Sequence, residues 1–319
     1  MPLFATNRQR GGGALFWGSE KVIAVHIIFN TLAVLLLPTF ARRLCVMIDR
    51  ILVPIDFSIG SAAALRYAEA LADSTGVSEV RVIHVFTPQT TTGDLTGIVA
   101  PVGELMDARE VAMKDFLRNI PAPQSIRRRS ELVLGFPTDK IVEESKATNL
   151  VVLGATGDSD LLEEVFGSIA SDVAQRAHCP VLLVPAKAEF SEYRHILYAS
   201  NSLSLSRDAV LKLMNFNELF RARIHFVHVN DENSEHRRDR EKLFAPLFNN
   251  PDPEFAFEIV EVSAKSVQSG LVDYLKANPV QLAVMVTQQR GFWSRLFNHS
   301  NTKQMLLHPE VPVLVFQES

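Results

Sequence analysis

From residue 51 onward, short apolar runs of strand length alternate with longer stretches of helical period. Ile51–Ile55, Val80–Phe86, Glu131–Leu134, Leu150–Leu153 and Val181–Val184 read as strands. Between them, Ala62–Ala72, Glu104–Leu117, Asp139–Ala147 and Ser168–Arg176 read as helices. Strands that are apolar at nearly every position must be buried on both faces. Helices lying between them in sequence provide that cover, which implies a parallel sheet with helices above and below. The predicted fold class is α/β, with a doubly wound parallel sheet.

The same order then returns. Ile196-Leu197-Tyr198 answers Ile51-Leu52-Val53, and Phe226-Val227-His228-Val229 answers Val82-Ile83-His84-Val85. Leu150–Pro185 lies over Leu282–Gln317 at a constant offset of 132, which puts Pro180-Val181-Leu182 on Pro312-Val313-Leu314. Two tandem domains follow, 47–186 and 191–319, with the polar stretch Ala186–Arg194 as the hinge. A chain of 319 residues, 47% hydrophobic and 21% charged, is long enough for two cores and excludes disorder as its main state.

Charge narrows the partners. Six Lys and Arg against two acidic residues fall in the first 50, which leaves −8 of the total −4 on the remainder. An acidic body lacks the basic footprint that nucleic acid requires, so none is expected as a partner. Its one basic cluster, Arg127-Arg128-Arg129, reads as a strand edge or solvated loop rather than a phosphate contact. Two distant cysteines, Cys45 and Cys179, suggest neither a metal cluster nor a disulfide framework, and a reducing, cytoplasmic setting is the expectation.

Residues 1–46 form an extension. Val22–Ala41 contains no Lys, Arg, Asp or Glu and has the length of a membrane span, but His26, Asn30 and Pro38 interrupt it and both flanks are basic. A first strand begins almost at once after Met47. The extension is expected to be upstream sequence from a start codon placed too early. A membrane anchor at 22–41 is the second reading, and a cleaved signal the third.

The chemistry concentrates after the strand ending at Leu153. Gly154-Ala155-Thr156-Gly157 is followed by nine residues and then Gly167-Ser168, which opens a helix. Glycines let backbone N–H groups approach an anion, and a helix N-terminus favours negative charge. Ser168 is read either as part of this cradle or as the cap of its helix. Asp56 follows Pro54-Ile55 where the first strand stops. Both it and Gly154 lie at carboxyl ends of strands, where open parallel sheets bind ligands. Asp56 accepts from a ligand or shapes the turn before Ser58; the sequence leaves both open. His84, mid-strand, is expected to be a satisfied core histidine.

Ile51-Leu52-Val53-Pro54-Ile55-Asp56-Phe57-Ser58, Val82-Ile83-His84-Val85, Gly135-Phe136-Pro137, the Gly-x2-Gly-x9-Gly-Ser element and Cys179-Pro180-Val181-Leu182-Leu183-Val184-Pro185 together resemble the universal stress protein pattern, over nearly all of 48–319. The resemblance implies Rossmann-like domains of the adenine nucleotide alpha-hydrolase-like class and an adenine nucleotide, ATP, often with Mg or Mn on its phosphates. The ring would lie near Asp56 and the backbone of Pro54 and Val85. Ribose and phosphates would meet Gly154, Ala155, Thr156 and Gly157, and Gly167, Ser168 and Ile169. The second copy departs from this pattern: Gly154, Gly157 and Gly167 become Val286, Gln289 and His299, Asp56 becomes Asn201, and only Ser168 is kept, as Ser300. Gly291 is one position off and does not restore the spacing. One nucleotide site per chain is expected, with the second domain as a structural partner stacked on the first, homodimer formation open and a protein partner unknown.

Phosphate-loop, nucleophile-elbow and zinc-helix motifs are missing from the sequence. No catalytic residue is assigned and no protein metal site is expected. The resemblance then implies a stress-response module in which the nucleotide is expected to be a signal or stabiliser, with slow hydrolysis left open. The competing reading is a nucleotide-free interaction or scaffold protein, membrane-tethered through residues 22–41.

Overall fold

The computed structural model describes residues 48–87, 102–155, 167–200, 207–230, 256–287 and 311–317. The extension 1–46 therefore lies outside the described residues, as does its Val22–Ala41 segment; no helix among the described residues is long and apolar enough to cross a membrane. The first half runs β1 (Ile51–Pro54), α1 (Ile59–Thr75), β2 (Glu79–Phe86), α2 (Val102–Arg118), β3 (Arg127–Leu134), α3 (Pro137–Glu144), β4 (Leu150–Gly154), α4 (Ser168–Arg176) and β5 (Val181–Val184). The second half runs β6 (His195–Ser200), α5 (Arg207–Asn217), β7 (Arg223–Asn230), β8 (Phe257–Ser263), α6 (Val267–Ala277), β9 (Leu282–Thr287) and β10 (Val313–Gln317).

All ten strands join one sheet in the order β3-β2-β1-β4-β5-β10-β9-β6-β7-β8. Within each half every pairing is parallel, and the halves meet through antiparallel β5 and β10, with Leu182 opposite Leu314. The domains are thus joined edge to edge, and the expectation of one domain stacked on the other is corrected. The physical reason is visible in the strands. Val181–Val184 and Val313–Phe316 are buried on both faces, and pairing them with each other removes two apolar edges from water. A side-chain bond from Gln317 Nε2 to the Ala174 carbonyl, 2.9 Å, ties β10 to α4 across the same seam.

Side chains alternate between the two faces of the sheet. Leu182, Val184, Leu314 and Phe316 enter a core shared with α1, α2 and α5, while Val181, Leu183, Val313 and Val315 enter one shared with α4 and α6. The linker 186–194 is not a free hinge. Tyr193 is fully buried, its hydroxyl lies 3.0 Å from that of Tyr67 on α1, and its ring packs on Phe190 and Phe220. Two aromatic rings in a polar stretch were enough to bury it.

The Arg127–Arg129 triplet is on edge strand β3, as one of the two sequence readings has it. Arg129 pairs with Glu131 at 2.7 Å, and Arg128 pairs with Glu69, which is 1% exposed. A buried carboxylate needs such a partner, and the guanidinium also donates to the Leu117 carbonyl at 2.9 Å.

Candidate functional site at the switch point

Strand order reverses at β1, which pairs with β2 on one side and β4 on the other, and the helices that follow β1 and β4, α1 and α4, lie on opposite faces of the sheet. A crevice at that point is where open α/β sheets hold ligands. Here it is a cleft of about 390 Å³, and Pro54, Asp56, Val85, Gly154, Gly167, Ser168 and Ile169 all line it. Of the other residues singled out in the sequence, Ala155 lies fully buried beside the cleft. Thr156 and Gly157 lie outside the described residues.

The loop after β1 is built around Asp56. Its Oδ1 accepts from the Ser58 N–H at 3.0 Å and the Ser58 hydroxyl at 2.5 Å, and Ser58 Oγ in turn accepts from the Ser61 N–H at 3.1 Å as the N-cap of α1. Asp56 thus shapes the turn, as one of its two readings has it, and its exposed side chain lines the cleft. Phe57 takes a positive φ of 67°, unusual for a non-glycine residue, and its ring is held against His84 at 4.2 Å and Phe116 at 5.6 Å. His84 donates from Nδ1 to the Ile55 carbonyl at 2.8 Å, which fixes the strand end that presents Asp56. Only half of the expected satisfaction holds, since the buried Nε2 has no partner. Burial pushes the ring below the usual histidine range, so it is neutral.

Gly154 lines the cleft and also has a packing reason to be glycine. A Cβ there would come within 2.6 Å of the Gly60 carbonyl carbon and 2.7 Å of its oxygen, on the first turn of α1. The residue is glycine so that α1, whose buried face is rich in Gly, Ser and Ala, can cross β4 closely. Its counterpart Val286 is buried in the core cluster that includes Leu213 of α5. The change from Gly to Val goes with a different helix packing in the second half. The described residues do not include Asn201, Gln289, Gly291, His299 or Ser300.

At the other wall, Ala155 donates its N–H to the Val184 carbonyl and accepts from the Gly167 N–H, each at 2.8 Å, so both ends of the intervening loop are fixed. Gly167, not Ser168, is the N-cap of α4, and no side chain caps this helix. Ser168 is the first helical residue, which corrects its reading as a cap. By helix geometry the N–H groups of Ser168, Ile169 and Ala170 have no intrahelical acceptor. The cleft also takes in Ile55, Ser58, Ser61, Pro137, Ile141, Leu153 and Ala170, none of them singled out as site residues from sequence. Pro137 follows Gly135, whose φ of +144° turns the chain from β3 into α3. The Gly135-Phe136-Pro137 segment was the available signal.

Comparison with known proteins agrees with this architecture. The Universal stress protein family matches residues 47–185 and again 192–317. The chain is 32% identical over 148 residues to a universal stress protein of Bacillus subtilis, YxiE, covering 43% of this chain and 99% of that one. It is 30% identical over 138 residues to one of Methanocaldococcus jannaschii, covering 42% and 81%. A universal stress protein structure from Archaeoglobus fulgidus superposes with a TM-score of 0.62 at 17% identity, covering 85% of this chain and 98% of that one. The chain belongs to the universal stress protein family and carries two of its domains in tandem.

Proposed function

We propose that this chain binds one adenine nucleotide, in the cleft of its first domain, and serves as a stress-response module that works by binding rather than by turnover. ATP is the nucleotide the family resemblance implies, and the cytoplasm is where it is plentiful. The observation that carries the reading is the convergence on one cleft of the Asp56 turn, the β4 end at Gly154 and the uncapped first turn of α4. An apolar slot between Pro54, Val85 and Ile141 suits a flat base, Asp56 suits a donor from base or ribose, and the free N–H groups at Ser168–Ala170 suit a phosphate. Gly154, Ala155, Thr156 and Gly157 complete the proposed ligand loop. No cluster of three His, Cys, Asp or Glu able to hold a metal is found among the described residues. The family resemblance implies a divalent ion on the phosphates.

The test is the nucleotide content of the purified full chain. Protein denatured after gel filtration should release an adenine nucleotide, identified by chromatography. Protein that carries none and takes up none on incubation favours the scaffold reading.

A further inference from the structure

The sheet of the first half ends in a strand with unmet backbone groups. β3 pairs with β2, and among the described residues no strand lies on its other side. Arg127 donates its N–H to the Ser78 carbonyl at 2.8 Å, and Gly135 donates to the Phe86 carbonyl at 3.0 Å. Residues 127, 129, 131, 133 and 135 therefore turn their backbone groups toward β2. Direction alternates along a strand, so the N–H and C=O groups of Arg128, Ser130, Leu132 and Leu134 point outward as a row of donors and acceptors.

The side chains along this edge differ from end to end. At its start, those of Arg127 and Arg129 are 79% and 62% exposed. Arg127 reaches Glu79 only at 3.7 Å, an exposed pair that contributes little. Arg129 shares its carboxylate: Glu131 also accepts from Arg81 on β2, at 2.7 Å. Arg128 is held inward by buried Glu69 and is not free to meet a partner. At the far end Leu134 is 41% exposed and Phe136, just past the strand, 68%. None of these residues lines the cleft.

An open edge of this kind takes up an extended segment of another chain as a further strand. Arginines on it discourage apolar and basic strands and admit an acidic one. We infer that β3 is the docking edge for an acidic extended segment of a partner protein, which adds to it antiparallel. Carboxylates near the C-terminal end of that segment meet Arg127 and Arg129, and apolar side chains near its other end meet Leu134 and Phe136. Antiparallel pairing is slightly the more stable kind per residue, and β5 already accepts β10 in that way.

The probe is a fluorescein-labelled synthetic peptide of about eight residues, alternating valine and threonine with a pair of glutamates near its C-terminus, titrated against the full chain by fluorescence anisotropy. Its counterpart carries lysines in place of the glutamates. The acidic peptide is expected to bind saturably, at least about tenfold more tightly than the basic one, and to slow hydrogen exchange of the β3 amides. Ser130→Pro removes an outward N–H and no bond to β2, so it should weaken the acidic peptide at least about tenfold in a folded chain. If that variant does not fold, the double variant Arg127→Glu, Arg129→Glu decides, since both side chains are exposed and their reversal should transfer the preference to the basic peptide. Equal binding of the two peptides, binding that leaves β3 exchange unchanged, or no saturable binding overturns the inference. A peptide-free chain that is a dimer, and becomes a monomer with Ser130→Pro, overturns it too, because the occupant is then a second copy.

Discussion

Gly154 shows how one residue can satisfy a motif for a reason the motif does not state. In sequence it looks like an anion-cradling glycine. In the structure its missing Cβ is what lets the first turn of α1 reach β4, with the Gly60 carbonyl carbon 2.6 Å from where that carbon would be. Backbone cannot move aside as a flexible side chain can. Gly154→Val, the residue of the second copy, should therefore destabilise the first domain by about 1–3 kcal/mol or more, read from urea unfolding. A variant as stable as wild type would show that α1 has room, and would return Gly154 to a ligand role alone. Asp56 is the companion case. Its placement after a strand end was legible from the chain, but the sharing of its carboxylate between turn and cleft required the coordinates of Ser58. Ser168 was legible as a helix start and was off by one as a cap, because a glycine in extended conformation occupies that place. Ile141 and Ala170 were not legible as site residues. Apolar residues that line a cleft carry the same sequence signal as those that fill a core.

At the scale of elements, the periodicity places all nine elements of the first half in the right order, with ends that differ by a few residues. β3 is the largest discrepancy: the apolar pattern starts at Glu131, but the strand starts at Arg127. Edge strands need not be apolar, and the three arginines there are stabilised by carboxylates on α1, β2 and β3 rather than by burial of hydrocarbon. The linker erred the other way, its polarity suggesting a hinge. Tyr193 makes it a fixed strut instead, through a buried hydroxyl pair with Tyr67; burial pushes the Tyr67 phenol well above its usual range, so both rings stay neutral. Tyr193→Phe leaves the Tyr67 hydroxyl buried without its partner and should cost about 1–3 kcal/mol. Adding Tyr67→Phe removes the orphan and should restore part of that loss. If the double variant is less stable than the Tyr193→Phe single, the hydroxyl pair is not what holds the linker.

For the whole molecule, two homologous halves have diverged in matching places. The first half places Arg81 between Glu131 at 2.7 Å and Glu144 at 2.6 Å. The second has His225 against Glu258 at 2.6 Å, the Tyr274 hydroxyl at 2.7 Å and His195 at 2.8 Å, with Arg223 nearby. Arg81 holds Glu131 below the usual carboxylate range, so the stability that pair contributes is present above the ordinary glutamate pKa and lost only in more acid solution. His225, like His84, is pushed below the usual histidine range by burial. The unfolded chain therefore takes up protons at these residues first as pH falls below about 6.5, and stability should decline from pH 7 to pH 5.5 by at most about 1.4 kcal/mol per pH unit per histidine. His225→Gln should flatten that slope in urea titrations. An unchanged slope would assign the acid sensitivity elsewhere.

The tandem arrangement was legible because the offset of 132 runs without a gap through strands that must be buried twice over. The edge-to-edge join was not, since antiparallel β5 and β10 leave no mark in the order of elements. On this reading, duplication has left one working site and one structural partner. The most direct test is the binding stoichiometry of the full chain, titrated by calorimetry with AMP and with magnesium ATP. Close to one nucleotide per chain is expected, falling to none when Gly167→Val fills the first-domain cleft in a folded variant. A stoichiometry near two, or binding that survives Gly167→Val unchanged, would contradict it.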